Sequence, residues 1–222
     1  MQANYVQRLR LTFSKTGPAR FIGHLDLSRT LERSFNRAQI PIAYTQGFNR
    51  RPRLSLAAAL PLGFTSEYEL ADIWLAEAVE PAVARTQMMR KMAPGLSISH
   101  IAAVPLSAPS LQSLMRSSSY EVCLASGAIN HSQLVEGIAK ILSAPSLPHQ
   151  RQRGRGKIKK VDLRPLIIDL QAETGAGERT KISMELHQSP QGTGRPDDVL
   201  AALMIDPHEA LIHRTKISLA AA

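Results

Sequence analysis

The stretch YVQRLRLTFSKTGPARFIGHLDLSRTLERSFNRA, residues 5–38, changes its hydrophobic period part-way along. In its first part Leu9, Leu11 and Phe13 alternate with polar residues, a pattern typical of a strand that buries one face. In its second part Leu27 and Leu31 recur at four-residue spacing, which predicts an amphipathic helix over residues 25–38. A strand followed directly by such a helix indicates a domain that mixes the two kinds of structure.

The remainder of the first half continues this alternation of element types. Residues 40–46 and 68–79 predict strands, with an extended apolar segment at residues 53–63 between them. A helix is predicted to begin at Pro81 and to end at a Pro-Gly pair, and a further strand follows at residues 96–104. The order strand, helix, strand, strand, helix, strand is that of a ferredoxin-like sandwich.

The second half shows the same order without obvious sequence identity to the first. Residues 106–119 between the halves are rich in serine and proline and lose periodicity, so they are predicted to be a linker. The sequence therefore predicts an α+β protein made of two tandem ferredoxin-like (βαββαβ) sandwiches, residues 1–105 and residues 120–222.

The chain is strongly basic. It has 27 Lys and Arg against 18 Asp and Glu, a net charge of +9 and a pI near 10.1. This balance favours a polyanionic partner, nucleic acid above all, although some basic proteins simply stay in solution this way.

The single cysteine, Cys123, excludes an internal disulfide and a site built from several thiolates. Its strand-like neighbours predict that it is buried and structural. No apolar run reaches the length of a membrane span, and the N-terminus lacks the apolar core of a signal peptide. These features predict a cytoplasmic protein without a membrane partner, and no cofactor or metal is predicted in this chain.

The first predicted helix carries a stripe of arginines. Arg29, Arg33 and Arg37 follow one another at four-residue spacing, on a different arc from the apolar residues. Asp26 is the candidate N-cap of this helix. The stripe is either a phosphate-binding surface or a solvated face partly neutralised by Asp26 and Glu32.

A second group of arginines lies in TQGFNRRPR, residues 45–53, which we call the basic loop. Gly47 permits backbone angles that other residues avoid, which allows a tight turn. Pro52 fixes its own φ angle, so the loop holds its guanidinium groups in fewer conformations than a flexible tail would. Phe48 either stacks on a base or packs against the protein. The candidate nucleic-acid contacts of this loop are Gln46, Asn49, Arg50, Arg51 and Arg53.

A third group lies in RQRGRGKIKK, residues 151–160, which we call the basic ribbon. Lys or Arg occupies every second position, so an extended chain would place these side chains on one face. The alternative is a disordered basic loop, since two glycines and like-charge repulsion weaken a strand. The candidate contacts are Arg151, Arg153, Arg155 and Lys157.

Sequence motifs of common enzyme classes are absent. The chain has no phosphate-binding loop, no G-x-G-x-x-G, no G-x-S-x-G and no H-E-x-x-H. His24, beside Asp26 at the start of the first helix, is the candidate catalytic residue, with Asp26 as its neighbour. A structural role at the helix entry is the alternative, and catalysis by this chain alone is the less favoured hypothesis.

Several motifs resemble one family over nearly the whole chain. They include KTGPARFIGHLDLSR, QGFNRRPRL, ALPLGFTSEYE, KKVDLRPLI and GRPDDVL. They resemble the radical SAM-linked family that carries the domain of unknown function 2344, although Arg50 stands where the family loop has proline and Gly23 where it has serine. The resemblance implies a separate radical SAM protein as partner, which would carry the S-adenosylmethionine and the iron–sulfur cluster.

Taken with the charge, the resemblance leads to three hypotheses. The first is an RNA-binding accessory subunit that presents tRNA or rRNA to the radical SAM enzyme. The second is an RNA nuclease or modifying enzyme that uses His24. The third is a protein-interaction subunit of the radical SAM partner without RNA contact.

Overall fold

The computed structural model describes residues 4–124, 129–153, 157–174, 180–189 and 191–220. The architecture is mixed α/β, with mostly antiparallel strands and a few helices. The chain divides into two compact units, Met1–Met115 with Leu219–Ala222 and Arg116–Ser218.

The first unit contains most of the elements expected from the first half of the sequence. They are β1 (Gln7–Lys15), α1 (His24–Arg37), β2 (Leu54–Leu56), β3 (Thr65–Leu75), α2 (Pro81–Met89), β4 (Leu96–Val104) and α3 (Leu111–Leu114). The strands lie in the order β4, β1, β3, and β2 also pairs with β3. All three of these pairings are antiparallel.

The core of this unit lies between the sheet and α1. Alternation along β1 buries Leu9 and Leu11 almost completely, and α1 covers the same face with Leu27, Leu31 and Phe35. Each such side chain contributes about 1.5–3 kcal/mol by leaving water. The other face of β1 carries polar side chains, which is where the charged cluster described below is built.

The start of α1 differs from the prediction. The N-cap is Gly23, which has no side chain to cap the helix, and α1 begins at His24. Asp26 is therefore not the N-cap; it lies in the first turn, where the positive end of the helix dipole favours an acidic residue.

Residues 40–46 do not form the predicted strand. Only isolated bridges occur there, between Ile42 and Leu75 and between Tyr44 and Pro52. Pro41 has no N–H group to donate, which interrupts a ladder at that point. The chain instead enters the basic loop.

The second unit has one more hairpin than the sequence order predicted. Its elements are β5 (Met115–Leu124), α4 (His131–Ser143), β6 (Pro148–Arg153), β7 (Lys157–Asp162), β8 (Ile167–Thr174), β9 (Thr180–His187), α5 (Pro196–Ala202) and β10 (Ala210–Leu219). Four of the strands lie in the order β10, β5, β9, β8, and β6 pairs with β7 as a separate two-stranded sheet. The added hairpin, β6 and β7, follows α4.

Two predictions near the boundary are wrong in detail. The segment 106–119 is not a linker throughout, because it contains α3 and the first residues of β5, and Leu111 and Leu114 are buried. Cys123 is exposed, since the alternation of β5 turns Val122 and Leu124 inward and the thiol outward.

Candidate nucleic-acid interface

The basic loop is closed by its own hydrogen bonds. The Thr45 N–H donates to the Arg51 carbonyl at 2.8 Å, and the Arg51 N–H donates to Thr45 Oγ1 at 3.0 Å. Next to this pair, the Arg53 N–H donates to the Ala43 carbonyl at 2.7 Å. These bonds fix both ends of the loop, so that residues 46–50 form its tip.

The tip presents polar, cationic and aromatic groups to solvent. Phe48 is fully exposed, at 105% of its reference surface, so its ring is available for stacking. Gly47 has a φ of +144°, in the region that favours glycine. The structure brings the predicted contacts of this loop together, apart from Arg53: the exposed residues are Gln46, Asn49, Arg50 and Arg51.

Arg53 is placed differently from its neighbours. Its guanidinium carbon lies 4.3 Å from the centre of the Tyr5 ring and 4.8 Å from that of Trp74. Contacts of this kind contribute about 0.5–2 kcal/mol each, more where water is excluded. The half-buried Arg53 therefore stabilises the end of the loop through its contacts with Tyr5 and Trp74, while Arg50 and Arg51 remain exposed.

Behind Trp74 lies a buried charged cluster that the sequence reasoning missed. Arg8 stacks on the Trp74 ring at 4.9 Å, and its Nε donates to Asp72 Oδ2 at 3.1 Å. The Arg10 Nε donates to the other oxygen, Asp72 Oδ1, at 2.8 Å. One carboxylate thus holds two guanidinium groups. The sequence feature that could have indicated this cluster is the pair of arginines that alternate with leucines on β1, together with the acidic residue on β3.

The arginine stripe of α1 is partly exposed and partly anchored. Arg29 pairs with Asp26 at 3.5 Å, and both side chains are more than half exposed. Arg33 is exposed, whereas Arg37 donates to the Lys91 carbonyl at 3.0 Å. Pairing at such exposure is worth little, about 0–1 kcal/mol, so Arg29 keeps its capacity to meet another anion.

His24 is half-buried, and its Nδ1 has no hydrogen-bond partner within the described residues. The Asp26 carboxylate contacts Arg29. The structure therefore places His24 and Asp26 in the same helical turn, as expected, with the acid in an ion pair to an arginine.

The basic ribbon is a hairpin and not one extended strand. β6 and β7 pair so that Arg151 lies opposite Lys159 and Arg153 lies opposite Lys157. The candidate contact Arg155 lies outside the described residues. The described residues of the ribbon are therefore extended, as one of the two alternatives expected, but they belong to two antiparallel strands and not to one continuous strand.

Arg151 is bound to partners within the chain. Its Nε donates to Asp198 Oδ2 at 2.6 Å and its Nη2 to the Thr193 carbonyl at 2.7 Å. The other oxygen, Asp198 Oδ1, lies 3.1 Å from His149 Nε2. These bonds tie the hairpin to the start of α5, so Arg151 is a structural anchor of the second unit.

Beside this anchor, Asp197 is held in an unfavourable environment. Burial raises the pKa of its carboxyl, and the neighbouring charge of Asp198 adds to the effect. Its Oδ1 is buried without a hydrogen-bond partner within the described residues. The charged form of Asp197 is therefore destabilised in the folded chain.

Membrane-spanning helices and metal-binding groups are both absent from the described part of the chain. Within it, no helix combines the length and the apolar surface needed to cross a lipid bilayer. No group of three or more histidine, cysteine or acidic side chains is placed there to share a metal ion.

Comparison with known proteins identifies the family. A family model described as an uncharacterized protein conserved in bacteria (DUF2344) matches residues 8–196, most of the chain. The chain belongs to this family. The match includes Arg8 and Arg10 on β1, the basic loop, and Pro196, the first residue of α5. A search of curated proteins finds no match.

Solved structures give distant likenesses. A chain of a Cbf5–Nop10–Gar1 complex is 7% identical with a TM-score of 0.49, and the likeness covers 96% of this chain and 49% of that one. This chain thus spans about half the length of that one. A proposed glycine cleavage system transcriptional repressor is 10% identical with a TM-score of 0.25, covering 93% and 95% of the two chains.

Proposed function

We propose that this protein binds an unpaired segment of tRNA or rRNA through the basic loop and presents it to a separate radical SAM enzyme in the cytoplasm. The single observation that carries the RNA proposal is the tip of the loop. There a fully exposed Phe48 lies beside the exposed Arg50 and Arg51, on a loop whose ends are fixed by hydrogen bonds.

The chemistry of the tip favours single-stranded RNA. An exposed aromatic ring can stack on any base, and such stacking contributes about 1–3 kcal/mol per base. Guanidinium groups bind phosphate oxygens with two parallel hydrogen bonds. Because the loop is already closed, ordering it on binding costs little entropy. The net charge of +9 adds long-range attraction to a polyanion.

The other basic groups have different places in the proposal. Arg29 and Arg33 on α1 are exposed and are retained as phosphate contacts. Arg151 is left out, because its guanidinium is bound to Asp198 and to a backbone carbonyl.

The fold supports the proposal at a coarser level. In the first unit β4 and β3 flank β1, and in the second unit β10 and β9 flank β5. With the β6–β7 hairpin set aside, this order is compatible with a ferredoxin-like sandwich in each unit. We propose that the two units are tandem ferredoxin-like sandwiches, the second with the β6–β7 hairpin inserted. The partner that would carry S-adenosylmethionine and an iron–sulfur cluster is inferred from the family resemblance alone.

The test is fluorescence anisotropy with a labelled single-stranded RNA decamer at two salt concentrations. We expect binding at low salt that weakens as salt rises. Replacing Phe48 by Ala should cost about 1–3 kcal/mol of binding free energy. Arg50→Ala should weaken binding and lower the salt slope by about 0.7 for each phosphate that the protein no longer neutralises.

Arg90→Ala is the matched control, since it removes the same charge from an exposed site at the end of α2. It should change binding far less than Arg50→Ala. Folded protein that shows no binding at low salt, or equal losses of affinity for the two arginine variants, would overturn the proposal.

A further inference from the structure

A cleft of about 570 Å³ opens beside the basic loop. Its volume lies within the range of about 300–1,000 Å³ that holds small ligands in proteins. Its walls come from the chain before β1, from residues 44 and 45, and from the tip of the loop. The lining residues are Asn4, Tyr44, Thr45, Gln46, Gly47 and Arg50.

The lining combines three kinds of group. Tyr44 supplies an aromatic ring and is 40% exposed, and Arg50 supplies an exposed cation. Asn4, Thr45 and Gln46 supply amide and hydroxyl groups that donate and accept hydrogen bonds. These described lining residues include no carboxylate, so nothing among them repels an anion.

The walls of the cleft are held in place before any ligand arrives. Asn4 Nδ2 donates to the Tyr44 carbonyl at 3.0 Å, which ties the segment before β1 to the loop. The next residue, Tyr5, stacks on Arg53, which in turn lies against Trp74. On the loop side, Gly47 has no side chain, and space remains open where a Cβ would lie.

We propose that this cleft binds one nucleoside monophosphate unit, with the base against the Tyr44 ring and the phosphate on Arg50. An aromatic side chain and a guanidinium group that line one polar cleft match the flat base and the charged phosphate of a nucleotide. As a site for one unpaired nucleotide of an RNA, this inference rests on the proposed function. The same chemistry would also accept a free mononucleotide.

The first experiment titrates the full-length, ¹⁵N-labelled chain with 5′-AMP and follows amide shifts by NMR. We expect saturable shifts at residues 44–50. Adenosine and inorganic phosphate, tested separately, should each bind more weakly than 5′-AMP, because each supplies only one of the two groups that the proposed site binds. Tyr44→Ala should weaken 5′-AMP binding about tenfold or more, as expected when the base has no ring to stack on.

Matched variants separate the cleft from general effects. Phe21→Ala removes a ring that is also exposed but does not line the cleft, and Arg90→Ala removes a charge elsewhere. Both should leave 5′-AMP binding within about twofold of the unchanged protein. The inference is overturned if 5′-AMP gives no saturable shift at residues 44–50, or if Phe21→Ala weakens binding as much as Tyr44→Ala.

The RNA decamer distinguishes failure of this inference from failure of the proposed function. Decamer binding that requires Phe48, with no response to 5′-AMP, overturns the nucleotide cleft and leaves RNA binding intact. Binding of 5′-AMP that requires Tyr44, with no decamer binding, supports the cleft as a site for a free nucleotide and overturns RNA binding. Loss of both ligands in Tyr44→Ala supports the two proposals together.

Discussion

Replacing Asp72 by Asn should strongly destabilise the first unit. Asp72 is fully buried and holds Arg8, which is 2% exposed, and Arg10. The amide keeps the shape of the side chain but removes the charge, which leaves the buried Arg8 guanidinium without its counter-ion. Removing one partner of a buried ion pair costs about 3–5 kcal/mol. That is a large part of the roughly 5–15 kcal/mol that stabilises a typical domain.

The assay is urea unfolding followed by tryptophan fluorescence. Trp74 is the single tryptophan and lies against Arg8, so its emission reports on this cluster. With a slope of about 2 kcal/mol/M, the midpoint should fall by about 1.5–2.5 M. Glu67→Gln, on the exposed part of the same strand, should change the free energy of unfolding by less than about 0.5 kcal/mol.

A midpoint for Asp72→Asn within about 0.3 M of the Glu67→Gln value would refute the reasoning. A double-mutant cycle gives a second check. Arg8→Met combined with Asp72→Leu should cost less than the sum of the two single changes, with a coupling energy above about 1 kcal/mol. Strict additivity would mean that the ion pair is not the source of the destabilisation.

Three further predictions concern other sites. Gly95→Ala should lower the free energy of unfolding by at least about 3 kcal/mol, because its φ is +83° and a Cβ would lie 2.2 Å from the Thr16 carbonyl oxygen. The control, Gly63→Ala, has a φ of +85° but open space around the Cβ, so it should lower the free energy of unfolding by only about 1–2 kcal/mol in the same urea assay. Asp197→Asn should raise Tm at pH 7, because burial raises the pKa of Asp197 and so penalises its charged form in the folded state. The gain in Tm should vanish below pH 3.8, the ordinary aspartate pKa, where the acid is protonated in both the folded and unfolded states. A gain that persists at that pH would contradict this explanation. Cys123 should react with a maleimide in the folded protein nearly as fast as in urea, and protection in the folded state would contradict its exposure.

The periodicity of apolar residues was enough to predict the strands and helices that bury one face of a regular repeat. The alternation of Leu9 and Leu11 and the four-residue spacing of Leu27 and Leu31 identify β1 and α1, because each pattern matches one geometric repeat. The start of α1 was not predictable from residue preference alone, since Gly23 occupies the N-cap position without a capping side chain.

The roles of the arginines depend on partners far away in the sequence. Arg151 meets Asp198, 47 positions later, and Arg8 meets Asp72, 64 positions later. Spacing along the chain carries no information on such pairs, so the sequence identified basic residues but not which of them are used internally. The basic loop was more predictable, because its closure involves Thr45 and Arg51, only six positions apart.

Residues 219–222 belong to the first unit, which affects when the folding of that unit can be completed during synthesis. The Ala220 N–H donates to the Leu114 carbonyl at 2.7 Å, and Leu219–Ala222 is assigned to the same unit as β1. During synthesis the first unit must therefore wait for residue 220 before this bond can form. A fragment that stops after Met115 would lack it, so dissection of the two units should carry residues 219–222 back to the first by a linker or by circular permutation.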